Sequence, residues 1–226
     1  MNSERSIDVI VVSDAKDNFF KSLTDQTITT AINNERNIKV NVIVVEKSHI
    51  VYPNTTTIKQ DEPFNYNESL IKGADLGKSE YILFANNDLY FGFDWATELI
   101  NAMEEHNSRS ACPYSYISHV ENKTDMTKHI PIYEGYRIKY EFCGWAFCWT
   151  RELYNKLSLD TRVSFWCSDD ATAEQLKMSN EKHILVTASL VDHHDNGSKT
   201  LYSMSDPEIR ELTNDQVLKF REIYKK

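Results

Sequence analysis

Glu80-Tyr81-Ile82-Leu83-Phe84-Ala85-Asn86-Asn87-Asp88 is the stretch that decides the fold. Its apolar run from Tyr81 to Ala85 reads as a strand buried on both faces, the habit of a parallel sheet, and it stops abruptly in polar residues at the strand's carboxyl end. Upstream, residues 65–76 read as a helix capped near Gly77, residues 47–63 as a loop, and Val40-Asn41-Val42-Ile43-Val44-Val45 as a second buried strand tipped by Glu46-Lys47-Ser48. Further out, a helix over 18–33 follows the strand Ile7-Asp8-Val9-Ile10-Val11-Val12-Ser13. Downstream, Trp95, Leu99, Ala102 and Met103 mark a helix over 95–106, and residues 111–117 supply a fourth strand. This β-α-β-α-β-α-β alternation predicts an α/β fold with a mainly parallel central sheet flanked by helices, whose ligands gather at the strands' carboxyl ends.

The remainder is less regular. Residues 118–141 form a polar stretch with His119, Lys123, Lys128, His129, Arg137 and Lys139, suited to a lid, an anion contact or a solvated loop. An aromatic block follows, Tyr140-Glu141-Phe142-Cys143-Gly144-Trp145-Ala146-Phe147-Cys148-Trp149, and then helices over 151–157 and 169–177, a strand over 183–187 and a closing helix over 206–224. That closing helix has an apolar face for the core or for another subunit.

Composition narrows the function. The 226 residues, 41% hydrophobic and 26% charged, suit one globular domain. No apolar run approaches the ~20 residues of a membrane span, and the first residues lack a secretory h-region, so a cytoplasmic location is expected. The 25 basic residues against 34 acidic ones give a net charge of −9, which opposes non-specific attraction to nucleic acid or anionic lipid. Four cysteines, Cys112, Cys143, Cys148 and Cys167, make no C-x-x-C pair and read as reduced, packed thiols.

Three constellations carry chemistry. Asp88 at a strand tip can bridge a divalent cation to phosphate oxygens, although Asn86-Asn87-Asp88 also suits a simple turn. Ser168-Asp169-Asp170 opens a helix, where one aspartate can cap and the other, its pKa raised by its neighbour, can act as a general base. His193 and His194, flanked by Asp192 and Asp195, offer imidazole nitrogens to a metal, and because adjacent residues of an extended segment point apart, one of the two serves. The tryptophans Trp145, Trp149 and Trp166 suit either a core or a platform for a sugar or a base, with Gly144 admitting close backbone approach.

In order and spacing these parts resemble the GT-A-fold glycosyltransferases, especially family 2, over roughly residues 7–200. The resemblance carries on the Ile7–Ser13 strand, the Val42–Glu46 strand, Asn67 ahead of Leu70 to Ala74, Asn86-Asn87-Asp88, Gly144 to Arg151, Asp169-Asp170, and His193 before Gly197-Ser198. It implies a Rossmann-like nucleotide-sugar-binding fold within a single domain, 1–226, divided into a donor half (1–117), an acceptor and metal half (118–205) and a C-terminal helix (206–226). It also implies an inverting, divalent-metal-dependent transfer of a hexosyl or pentosyl group from a nucleotide-sugar donor to an acceptor hydroxyl.

By the same resemblance Ser13, Asp14, Glu46, Asn67, Asn86 and Asn87 bind the donor, and Asp88 with His193, or His194 in its place, holds Mn²⁺ or Mg²⁺. Asp170 is the base with Asp169 as neighbour or substitute, and Gly144, Trp145 and Trp149 meet the acceptor. Asn86 stands where the family's D-x-D motif has its first acid, Glu46-Lys47 stands for paired aspartates, and the first strand lacks Pro-x-Tyr-Asn at its end. The acceptor is a saccharide or a hydroxymethylated base in phage DNA. A nucleotidyltransferase is the alternative enzyme, but Ser13-Asp14-Ala15-Lys16-Asp17 lacks the glycine-rich phosphate loop it needs. A non-catalytic nucleotide- or glycan-binding module is the other.

Overall fold

Alternate residues of the first apolar run pack on opposite sides of one sheet, Ile7, Val9 and Val11 in one hydrophobic cluster and Ile10 in the other. They belong to strand β1 (Ser6–Ser13) of the computed structural model, which describes residues 5–121, 126–193 and 207–225. The other strands are β2 (Lys39–Glu46), β3 (Thr55–Lys59), β4 (Tyr81–Ala85), β5 (Leu89–Phe91), β6 (Ser110–Tyr114), β7 (Ile132–Glu134), β8 (Ala146–Thr150) and β9 (His183–His193). Among the described residues the sheet runs β3-β2-β1-β4-β8-β6-β9-β5, with β7 also on β9. Six strands, β3, β2, β1, β4, β6 and β9, point the same way, and β8, β5 and β7 oppose them.

The helices are α1 (Asn18–Asn33), α2 (Tyr66–Leu76), α3 (Trp95–Glu105), α4 (Arg151–Leu157), α5 (Ser168–Met178) and α6 (Pro207–Tyr224). Asp17 caps α1 by accepting from the Phe19 and Phe20 amides at 2.8 and 3.0 Å, and Asn65 caps α2 by accepting from Glu68 at 3.2 Å. Gly77 ends α2 in an extended conformation, so it is no left-handed cap. A Cβ there would fall 2.2 Å from Oδ2 of Asp8, whose buried carboxylate pairs with Arg151 at 2.7 Å and takes hydrogen bonds from Ser79. Among the described residues no helix is long and apolar enough to cross a membrane.

Several elements depart from the sequence reading. The loop expected over 47–63 contains β3, whose Thr-Thr-Thr-Ile-Lys is half exposed on the sheet edge and so lacks an apolar run. The aromatic block contains β8, wedged antiparallel between β4 and β6. Burial on both faces makes its residues apolar throughout, hiding the strand period. The 118–141 stretch holds a π-helical turn, Ile117–Glu121, and β7, although Lys123 lies outside the described residues. His119 is buried there, its ring between the carbonyls of Ser115 and Tyr140. β9 runs six residues beyond the expected Thr187, and its register against β6 shifts between Pro113 and Tyr114. The four cysteines are free thiols, three of them buried.

Candidate active site

Two clefts of about 350 Å³ each open at the carboxyl end of the sheet and share Tyr66, Asn86 and Phe165 as a common wall. The first is built on the tips of β1, β2 and β4, and it is lined by Ser13, Asp14, Lys47, Gln60, Asn87 and Asp88 among others. Asp14 reaches Lys47 at 3.9 Å, and Asn87 is fixed by donating from Nδ2 to Oγ1 of Thr24 at 3.1 Å. Ser13 is buried, its hydroxyl 3.0 Å from that of Thr24, so it shapes the floor of the cleft.

Glu46, named with these residues from the sequence, is absent from the lining and turns inward. Its Oε1 accepts from the amides of Ala15 and Ser48 at 3.1 and 2.8 Å, and its Oε2 accepts from the Tyr52 hydroxyl at 3.0 Å. Burial pushes its pKa up, but the bonds from Ser13, Ser48 and Ala15 outweigh it and hold the carboxyl below its ordinary value. The carboxylate buckles the loops after β1 and β2 together.

At the junction of the clefts Asp88 meets His193. The ladder pairs Leu89 with His193, so the antiparallel β5–β9 contact sets Asp88 beside the imidazole. Oδ1 of Asp88 is buried 3.2 Å from Nε2 of His193 but takes no hydrogen bond of sound geometry. A buried carboxylate oxygen without a partner, facing an imidazole nitrogen, is a donor pair that fits a divalent cation. Among the described residues no third His, Cys, Asp or Glu joins them. Asn86 stands close by, its Nδ2 3.5 Å from Nε2 of His193 and its Oδ1 accepting from Tyr66 at 2.9 Å. His194 lies outside the described residues.

The second cleft is walled by Gly144, Trp145, Trp166, Lys139, Asp169 and His193 among others. Trp145 stacks on His193 at 5.8 Å between ring centroids and 8° between planes, tying the wall to the Asp88 pair. The amide of Asn86 donates to the Trp145 carbonyl at 2.9 Å, because β8 begins where β4 ends. Trp149, expected beside Trp145, sits at the far end of β8 and is fully buried against Phe84 and Phe147. It is core.

Of the two aspartates, the structure sets Asp169 in the cleft wall and leaves Asp170 out of it. Neither caps α5 at its N-cap, which is Cys167, but Oδ1 of Asp169 accepts from the Asp170 amide at 3.0 Å. Burial and the charge of Asp170 push the Asp169 pKa up, and burial raises that of Asp170 as well. Gly144 serves Asp169 directly, since a Cβ there would lie 2.5 Å from the aspartate's own Cβ. The close approach foreseen at this glycine is therefore to a side chain of the protein.

Asn67 is also placed away from both clefts, fully buried in α2. Its Nδ2 donates to the carbonyls of Asp160 and Val163 at 2.8 and 3.2 Å, and its Oδ1 accepts from the Ser168 hydroxyl at 2.6 Å. From α6, Gln216 accepts from the Ser164 amide at 2.6 Å and Tyr224 donates to Asp160 at 2.6 Å. Together they brace the loop that carries Phe165 and Trp166 into the cleft and leads into Asp169. Tyr66, Phe165 and Gln60 are cleft residues that the sequence reading did not single out for the site, and no local motif marks them, whereas Lys139 comes from the basic 118–141 stretch.

Residues 42–162 match the model of glycosyl transferase family 2. Among solved structures the fold is similar to GalNAc-T7, whose crystal structure holds UDP, GalNAc and Mn²⁺, with a TM-score of 0.65 at 10% identity over 85% of this chain. The chain spans 44% of that protein's chain. No curated protein matches the sequence. With more than half of its length in the family match and a GT-A architecture, the chain belongs to glycosyl transferase family 2.

Proposed function

We propose that this glycosyltransferase is inverting and depends on a divalent cation, moving a sugar from a nucleotide-sugar donor to a saccharide hydroxyl. The observation that carries the reading is the Asp88–His193 pair at the junction of two clefts, one built on parallel strand tips and the other walled by aromatic rings and Asp169. The first cleft takes the nucleoside diphosphate and the second the acceptor, so residues 1–117 serve mainly the donor and residues 118–205 mainly the acceptor.

Asp88 and His193 would hold the cation, Mn²⁺ or Mg²⁺. When bound, it supplies positive charge against the negative charge that develops on the departing diphosphate. The chain's own residues do the rest. Trp145 and Trp166 give flat apolar faces for a sugar ring, and Asp169, its pKa raised by burial, accepts the proton of the attacking hydroxyl. One carboxylate on the acceptor side suits a single displacement, with inversion at the anomeric carbon. Asp170 tunes Asp169 through its charge. The net charge of −9 favours a saccharide over DNA as acceptor.

The test is thermal stabilisation by a panel of nucleoside diphosphates and their sugars with and without Mn²⁺, since a ligand of the native state raises stability as ln(1 + [L]/Kd). A shift that needs the metal and is lost in both Asp88→Ala and His193→Ala supports the reading. No shift from any nucleotide in the wild type overturns it.

A further inference from the structure

The basic stretch over 118–141 contributes one positive charge to the acceptor cleft. Among the described residues that line it, Lys139 is the only lysine or arginine. Three other basic side chains of the stretch are engaged within the protein: Arg137 donates from Nε to Glu141 at 3.0 Å, Lys128 lies over the Tyr114 ring, and His119 is held between two carbonyls. Lys139 is exposed, and its ammonium makes no hydrogen bond, ion pair or ring contact with any described residue. The turn that presents it is fixed, since the Lys139 amide donates to the Phe142 carbonyl at 2.9 Å and the Phe142 amide to the Arg137 carbonyl at 3.0 Å. Lys139 has a φ of 69° there, a left-handed conformation in which glycine or asparagine is the easier residue. Backbone conformation therefore does not account for a lysine at this point, and the side chain is left to do so.

Asp169 stands on the wall of the same cleft. Burial and the charge of Asp170 keep its pKa raised, and Lys139 opposes them only weakly, so the lysine lies within electrostatic reach of the proposed base without being its counter-ion. An acceptor sugar with an anionic substituent would bring a like charge toward Asp169 and push that pKa up further unless a cation met it. Lys139, on the same cleft as the Trp145 and Trp166 rings, is placed to meet it. One ammonium matches one negative charge. That suits a carboxylate, because a phosphate ester carries nearly two charges at neutral pH and a polyanion is repelled by the net charge of −9.

We infer that the acceptor is an acidic saccharide bearing a carboxylate, and that Lys139 selects it by pairing its ammonium with that carboxylate. The inference rests on the acceptor-cleft assignment made above and deepens it by naming the class of substrate and the residue that chooses it.

The experiment is binding of methyl glycosides in matched pairs, the glucuronide against the glucoside and the galacturonide against the galactoside, to the full chain with UDP and Mn²⁺. Ligand-observed NMR titration reads it in wild type, Lys139→Met and Lys139→Glu. Within each pair a carboxylate replaces a hydroxymethyl group and nothing else changes. Wild type is expected to bind the acidic member of at least one pair about threefold more tightly or better, the scale of an exposed ion pair, and to lose that preference in about 1 M salt. In Lys139→Met the ratio shrinks to one and in Lys139→Glu it falls below one, while the neutral sugars bind as they do to wild type. Lys139 is exposed, so both variants are expected to keep the wild-type Tm. Equal binding within both pairs by wild type overturns the inference, as does a preference that survives in Lys139→Met, or binding of none of the four sugars. Each of those results leaves the proposed function standing if nucleotides stabilise the chain. Absence of stabilisation by every nucleotide removes the function, and the inference with it.

Discussion

Replacing Gly144 by alanine isolates the contact on which the proposed base depends. No glycine among the described residues has a positive φ, so alanine meets no backbone penalty at 144 and the new methyl group alone carries the effect. That methyl would stand 2.5 Å from Cβ of Asp169 and 3.1 Å from its Cγ and Oδ2. Carbon atoms rest at about 3.5–4.0 Å, so Asp169 and the start of α5 must retreat by roughly 1 Å. Overpacking of this kind costs about 1–3 kcal/mol, a fall in Tm of roughly 2–12 °C for a chain of this size. A misplacement of about 1 Å at a reacting group costs about 100-fold in rate. The nucleotide cleft is built on other strand tips and is left in place. Initial rates of nucleotide release from the donor, beside calorimetric binding of the nucleotide alone, separate the two effects. The expected Gly144→Ala enzyme binds nucleotide within about twofold of wild type and turns over about 100-fold more slowly. A variant with wild-type turnover, or one that loses nucleotide binding in step with turnover, refutes the placement of Asp169.

Three further outcomes follow from the same contacts. Because the native-state pKa of Asp169 is raised above the ordinary 3.8, the folded protein holds its proton more tightly than the unfolded chain, and stability falls as pH rises through that window. Asp169→Asn is therefore more stable than wild type at neutral pH while nearly inactive, the gain vanishing near pH ~3.5, as urea titrations at both pH values will show. Asn67→Ala strands the two carbonyls and the hydroxyl that Asn67 now satisfies, at a cost of about 3 kcal/mol read as a fall in urea midpoint, and it slows transfer more than it weakens nucleotide binding. Trp149→Ala costs about 3–5 kcal/mol as a core cavity, whereas Trp145→Ala costs less stability and raises KM for the acceptor; equal losses of stability in the two would contradict the division between core and cleft.

Strands β1, β2 and β4 were legible because they are largely buried and end in polar tips, a pattern that needs no tertiary information. Tyr81–Ala85 followed by Asn86 is the clearest case, and α4 lies over 151–157 as expected. The antiparallel insertion of β8 was not legible, since an apolar run reads alike in a strand of either direction. Side-chain direction was the other gap. Glu46, Asn67 and Trp149 are residue types that suit a site, but their placement inward was decided by partners such as Tyr52, Ser168 and Phe84, distant in sequence. The choice between Asp169 and Asp170 turns on the rotation of α5, which the bracing loop over 158–168 sets. That loop brings Phe165 and Trp166 to the cleft without any motif to announce them.

The ladder contact between Leu89 and His193 also bears on the order in which the molecule comes into being on the ribosome. Synthesis proceeds from the amino terminus, and β3, β2, β1 and β4 are complete once residue 85 has emerged, so this parallel part of the sheet can close early. Asp88 follows three residues after that, but its imidazole partner comes more than a hundred residues later still, at the end of β9. On the function proposed above, a nascent chain halted before β9 has the strand tips without the His193 imidazole, and metal-dependent donor binding would report that synthesis has passed residue 193.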